Sequence, residues 1–220
     1  MLRTKRLLDI AASAAALVLL SPVMALIAVA IWIESGSPLL FSQERIGLRF
    51  RPFTLWKFRS MRAGSGPLIT AAGDSRVTRV GWFLRRTKLD ELPQFWNVLR
   101  GDMSLVGPRP EVRRYVDLYR RQYELILSVR PGITDPATIA YRDEELVLAE
   151  SADPEAAYTE QVLPAKLALS EQYILRWSFI RDIRILGQTL LAVLGSGTAR
   201  GQSISPKADS QADFNLRVGG

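Results

Sequence analysis

The sequence predicts an α+β fold held at a membrane: a monotopic domain with an N-terminal re-entrant helical hairpin, amphipathic interfacial helices and a small β element. Three observations carry that expectation. An apolar run from Leu7 to Ile33 follows three basic residues and is interrupted in its middle by Ser21-Pro22. The stretch from Leu39 to Arg62 alternates apolar and polar residues, as half-buried strands do. Later stretches carry apolar residues at spacings of three and four, as helices packed on one face do.

Length and composition bound the reading. At 220 residues one domain with a real core is expected. A hydrophobic content of 48% and a mean hydropathy of +0.06 are high for a soluble protein. The formal charge of +7 points to anionic partners. That excess is local: Ser42 to Arg114 holds 15 Lys/Arg against 6 Asp/Glu, whereas the remainder is slightly acidic. Zero cysteine excludes disulfides and thiolate metal sites. Zero histidine leaves any acid-base work to carboxylates, Lys or Tyr. No nucleic-acid-binding module is recognisable, so nucleic acid is not an expected partner.

Arg3, Lys5 and Arg6 open the chain, and the apolar run after them is longer than a signal-peptide core. About 20 apolar residues suffice to span a bilayer, so a simple single-span anchor is one reading. Two features favour a kinked, re-entrant hairpin. Proline in mid-helix removes a backbone bond, and the Ser21 hydroxyl can satisfy a freed group. Basic residues also flank the run on both sides, which places both ends on the cytoplasmic face. Ser21 and Pro22 are therefore the expected membrane kink. Asp9 is expected to pair with a basic residue near the surface, in a structural role.

Glu34 to Pro38 is a polar break. Short strands follow, one at Phe53–Arg59, whose alternation would put Lys57 and Arg59 on one face. Ala63 to Ser75 is rich in Gly, Ala and Ser and reads as a loop. Arg76 to Thr87 and Pro110 to Val129 read as helices. Tyr158 to Leu194 reads as helical, with Pro164 as its break. The apolar face of this last stretch packs into a core or, given Trp177 and its arginines, lies in the membrane interface.

The centre of the chain is Arg85 to Glu111, RRTKLDELPQFWNVLRGDMSLVGPRPE. Adjacent carboxylates, Asp90 and Glu91, stand just before Pro93, which disfavours helix at Leu92 and places the acids near the break of an element. Arg85, Arg86 and Lys88 precede them and Arg109 follows. Nearby cations hold carboxylates ionised. An ionised carboxylate serves as a nucleophile or as a ligand for Mg²⁺. Guanidinium groups suit phosphate oxygens. The cluster reads as phosphoryl-transfer machinery or as a structural salt-bridge network.

The run KLDELPQFWNVLRGDMSLVGPRPE, with the upstream FTLWKFRSMR and the downstream VRPGIT, resembles the bacterial sugar transferases, the monotopic polyprenyl-phosphate phosphoglycosyl transferases. The resemblance extends from about Lys5 to Leu194. It implies transfer of a sugar 1-phosphate from a UDP-sugar to polyprenyl phosphate with release of UMP, as the first membrane step of glycoconjugate assembly. Spacing alone does not separate Asp90 from Glu91. The resemblance assigns Asp90 as the nucleophile of a phosphosugar-aspartyl intermediate, and Glu91 as a partner for metal or proton. It implies a Mg²⁺ cofactor at Asp90 and Glu91, and substrate contacts from Lys57, Arg59, Arg85, Arg109 and Arg142. The expected domains are a re-entrant membrane helix at 1–34, a catalytic domain at 35–195 on the cytoplasmic face of the bacterial inner membrane, and a disordered tail at 196–220. A homodimer is left open. Thr134-Asp135-Pro136 departs from the family's usual Pro-Gly-Ile-Thr-Gly. The alternative from a different class is a non-enzymatic basic membrane scaffold that binds anionic lipid or a glycan-assembly partner.

Overall fold

The structure, a computed structural model, describes residues 3–62 and 72–195. Helices α1 (Arg3–Leu19) and α2 (Ser21–Ser35) lead into a hairpin of β1 (Leu40–Ile46) and β2 (Pro52–Phe58). Then come α3 (Arg79–Thr87), α4 (Gln94–Arg100), β3 (Ser104–Val106), α5 (Arg113–Leu118), α6 (Arg120–Ile126) and β4 (Gly132–Thr134). The chain continues through α7 (Pro136–Ala140), α8 (Glu144–Ala149), α9 (Pro154–Ala157), α10 (Leu163–Leu175) and α11 (Phe179–Leu194). The α+β expectation holds: helices dominate, with an antiparallel β1–β2 ladder and a parallel β3–β4 pair. The loop read at Ala63 to Ser75 lies mostly outside the described residues, as does the tail from residue 196.

Helices α1 and α2 meet at a bend of 58°. Its chemistry is local. Proline has no N–H to reach the carbonyl of Val18 four residues back, and the Ser21 hydroxyl donates to that carbonyl instead, at 2.8 Å. Pro22 lies in the first turn of α2, where a missing N–H costs nothing. Among the described residues no single helix is long and apolar enough to cross a membrane, whereas this bent pair passes that test together, by length and composition only.

The polarity of α1 is inverted relative to a soluble helix. Lys5, Asp9 and Ser13, four residues apart, are buried against the domain, while Leu7, Val18 and Leu19 are exposed. Lys5 pairs with Asp182 and donates to the Val106 carbonyl. Asp9 departs from expectation: it accepts from the Ser104 hydroxyl and the Leu105 N–H rather than pairing closely with a cation, because the start of β3 presents two donors to it. Arg6 donates to the Val98 and Leu99 carbonyls at the end of α4, where helix carbonyls lack partners.

The larger core joins α5, α6 and α10 through Tyr115, Val116, Tyr123, Ile126, Leu163 and Leu167. A second cluster, Ile27, Ile31, Phe58 and Leu84, seats α2 on β2 and α3. Several boundaries differ from the sequence expectation. The helix expected from Pro110 to Val129 starts at Arg113, because the Glu111 carbonyl instead accepts from Ile46 on the hairpin. That helix also breaks at Tyr119 (φ −118°), whose hydroxyl donates to the Thr159 carbonyl. In the last stretch Pro164 is not the break. It occupies the first turn of α10, after a π-helical turn at Tyr158–Val162. The chain breaks instead at Arg176–Ser178, and Ser178 then caps α11.

Candidate active site

The acids sit in a linker that is almost entirely helical. Thr78 caps α3, and α3 closes on Lys88, a non-glycine residue in the left-handed conformation (φ 57°). Leu89–Glu91 then form a 3₁₀ turn. Leu92 does not extend, as its place before proline suggested: it is right-handed helical (φ −53°, ψ −37°). The α region is disfavoured there but not forbidden. Packing of Leu92 onto the Ile27, Ile31, Phe58 and Leu84 cluster accounts for the outcome. The linker therefore holds both acids inside the protein, Asp90 at 5% and Glu91 at 9% exposure.

The neighbouring carboxylates have opposite environments. Glu91 accepts from Lys57 Nζ at 3.1 Å and from both terminal nitrogens of Arg109. Burial alone would push its carboxyl up, but Arg109 and Lys57 outweigh burial and hold it well below the usual carboxylate range. Asp90 is pushed the other way. Burial raises its carboxyl, the field of Lys57 opposes this, and the charge of Glu91 adds to the rise. Among the described residues, Asp90 Oδ1 is enclosed and has no hydrogen-bond partner.

Arg109 reaches Glu91 because two short motifs pair. Ser104–Val106 and Gly132–Thr134 form the parallel β3–β4 ladder, and the Gly132 N–H bonds the Pro108 carbonyl at 2.9 Å. Gly107 and Gly132 pass so closely that a Cβ on Gly132 would lie 2.1 Å from the Gly107 nitrogen, so neither position admits a side chain without movement. Behind the loop, Glu111 accepts from Arg45 and from the Tyr158 hydroxyl, which fixes the segment two residues beyond Arg109.

The structure thus brings Lys57, Asp90, Glu91 and Arg109 together. The other expected cations have different partners. Arg59 falls just after β2 and donates to Ser35 Oγ and to the Ser35 and Gly36 carbonyls, closing the end of α2. Its partners therefore differ from that of Lys57, which reaches Glu91. Arg85 pairs with Glu145 of α8, although its field reaches Asp90. Arg142 donates to the Ala192 carbonyl of α11. Asp135, the departure from the usual glycine, caps α7 and accepts from Thr138 and from Ser170 at 2.9 Å.

Burial along α4 does not follow hydropathy. Its aromatic Trp96 is half-exposed, while Gln94 and Asn97 are buried beside Val98. Asn97 bonds the Thr54 carbonyl and the Trp56 N–H, locking α4 to β2. Two amides three residues apart, one turn beyond the acids, were the available signal for a polar inner face. Asp90 and Glu91 are hard oxygen donors of the kind a magnesium ion takes. Asp90 Oδ1 is an enclosed, unpaired carboxylate oxygen, whereas both Glu91 oxygens already accept from cations. Among the described residues no cluster of three or more acids stands ready to form a self-sufficient cage.

A sequence model described as bacterial sugar transferase matches residues 1–196. Over 202 residues the chain is 40% identical to UDP-N-acetylgalactosamine-undecaprenyl-phosphate N-acetylgalactosaminephosphotransferase of Aeromonas hydrophila, covering 89% of this chain and 45% of that protein. Over 201 residues it is 39% identical to UDP-glucose:undecaprenyl-phosphate glucose-1-phosphate transferase of Caulobacter vibrioides, covering 89% and 71% respectively. The Escherichia coli protein of that latter name is 40% identical over 193 residues, 84% of this chain and 39% of its own length. The chain therefore spans less than half of two of these three relatives.

Proposed function

This chain belongs to the bacterial sugar transferase family, and from that membership and the arrangement around Asp90 we propose that it is a phosphoglycosyl transferase. It moves a sugar 1-phosphate from a UDP-sugar to undecaprenyl phosphate and releases UMP. The observation that carries the mechanism is the division of labour between adjacent acids. Glu91 is bonded to Lys57 and Arg109, while Asp90 keeps an unpaired carboxylate oxygen.

In the first half-reaction an Asp90 oxygen forms a bond to the sugar-bearing phosphorus. The bond from that phosphorus to the oxygen bridging toward uridine breaks, and the electron pair leaves with UMP. In the second, a phosphate oxygen of the lipid bonds the same phosphorus and the Asp90 carboxylate leaves, restoring the enzyme. No proton is required at Asp90, in keeping with a chain that has no histidine. Its raised carboxyl makes it a more basic, more reactive anion than an exposed aspartate. Glu91 holds Lys57 and Arg109 in place, so that both cations flank the phosphoryl group. Arg85 joins them by exchanging Glu145 for a substrate phosphate. Arg59 and Arg142 contact substrate only if they release their carbonyl partners. Magnesium, held at Asp90 with Glu91 as the second carboxylate, would offset diphosphate charge.

The bent α1–α2 pair enters and leaves the cytoplasmic leaflet of the bacterial inner membrane as a re-entrant hairpin. Its exposed leucines and valines face lipid while Lys5 and Asp9 face the domain. On α11, the exposed Ile180, Ile183, Leu190 and Leu191 lie in the interface.

The test is a panel of UDP-sugars with Mg²⁺ and undecaprenyl phosphate, read as UMP release. A companion incubation without lipid is read by intact-protein mass spectrometry. Wild type should gain one sugar-phosphate mass that the lipid then removes, and Asp90→Asn should gain none. An adduct that persists in Asp90→Asn removes the role given to Asp90. No UMP from any UDP-sugar removes the activity.

A further inference from the structure

The polar side chains of the Asp90–Asn97 segment form an incomplete set. Leu92 and Pro93 are both right-handed helical, so the backbone runs in one sense from the 3₁₀ turn into α4. Asp90, Gln94 and Asn97, at spacings of four and three, therefore share a face, with Cβ atoms roughly 5–6 Å apart. All three are buried, Gln94 to 1% exposure and Asn97 to 0%. The Asn97 amide is committed at both ends to the backbone of β2. Gln94 is different: among the described residues its enclosed Nε2 has no partner. Buried amides are almost always paired, and one left open is a standing cost to the fold. Its neighbour one turn earlier, Asp90, has the complementary defect, an enclosed carboxylate oxygen without a donor. The two are not bonded to each other.

A single guest placed against both atoms would pair both of them. A phosphoryl group offers an electrophilic phosphorus to the carboxylate and anionic oxygens to the amide. Of the two ends of the amide, only the NH₂ can donate to such an oxygen; the carbonyl would repel it. We propose that Gln94 is a further catalytic residue: its Nε2 donates to a non-bridging oxygen of the phosphoryl group that Asp90 attacks. This inference rests on the phosphosugar transfer proposed above. As the Asp90 oxygen bonds to phosphorus and the bond to UMP breaks, charge stays on the non-bridging oxygens, and Gln94 stabilises it without giving or taking a proton.

Gln94→Met keeps length and removes the amide. With full-length protein and a UDP-sugar that wild type turns over, kcat should fall on the order of 100-fold, the usual loss for one such donor. KM should stay unchanged, and the melting temperature should hold or rise, because the variant deletes an unpaired buried amide. Gln94→Glu, which sets an anion against the phosphoryl oxygens, should be at least as impaired. Wild-type kcat in the Met variant overturns the inference. So does a loss confined to KM, or a loss that comes with a lower melting temperature, which marks a structural amide. Wild type is the control: if it releases no UMP from any UDP-sugar, the transfer fails and this inference with it, whereas an active wild type beside an active Met variant removes Gln94 alone.

Discussion

Neutralising the two adjacent acids should have opposite effects on stability. Glu91→Gln removes the anion that accepts from Lys57 and twice from Arg109, and leaves two cations inside the protein. Removing one partner of a buried ion pair costs about 3–5 kcal/mol. Asp90 remains as partial compensation, since its field also acts on Lys57, so the lower end, about 3 kcal/mol, applies here. At roughly 2–4 °C per kcal/mol for a chain of this size, the melting temperature should fall by about 6–12 °C. Asp90→Asn removes a carboxylate whose ionisation burial opposes, so stability should be unchanged or higher by up to about 1 kcal/mol. The assay is thermal unfolding in detergent, followed by the fluorescence of the five tryptophans. The pH dependence has a definite sign. Glu91 sits below its ordinary 4.5 in the folded state, so its contribution is present above that value and lost as pH falls through the depressed folded value. Asp90 sits above its ordinary 3.8, so its penalty is largest at neutral pH and disappears once pH falls below 3.8. The gap between Asp90→Asn and wild type should therefore narrow with acidification, while the Glu91→Gln gap should hold until below pH 4.5. If Glu91→Gln melts with wild type, or Asp90→Asn falls as far as Glu91→Gln, the division of the pair is wrong.

Arg85→Lys and Arg109→Lys should each lower kcat/KM for UMP release about tenfold or more, because Lys loses the planar fork of a charge-assisted pair. Full activity in both would remove these arginines from substrate binding and leave them only their ion pairs with Glu145 and Glu91. Replacing Ser21 by Ala together with Pro22 by Leu restores an unbroken ladder at Val18 and should move some molecules toward a spanning state. The chain has no cysteine, so a single one substituted at Leu2 reports this cleanly, and labelling from the periplasm should appear only in the double variant. Asp135→Ala strips acceptors from Thr138 and Ser170 and should cost about 2–3 kcal/mol, read as a lower melting temperature.

Local chemistry was legible in the sequence. The Ser21-Pro22 break, the α+β class, the short strand carrying Lys57 and the grouping of Asp90 and Glu91 with basic residues all follow from features within a few residues of one another. A proline without an N–H, alternation along a strand and charge density along a segment are each read at short range. Side-chain partners were not legible, because they depend on which distant carbonyl or carboxylate arrives at each position. Lys57 and Arg59 are two residues apart, yet Lys57 meets Glu91 while Arg59 meets the end of α2. Leu92 followed its packing rather than its proline, and α4 turned Gln94 and Asn97 inward and Trp96 outward, against hydropathy. The sequence by itself determined that two carboxylates lie among cations beside a membrane-type segment. Only the tertiary structure decided that the cations bind Glu91 and leave an oxygen of Asp90 unpaired, because that choice is set by Lys57 on β2 and by Arg109 on the loop that the β3–β4 pairing holds in place.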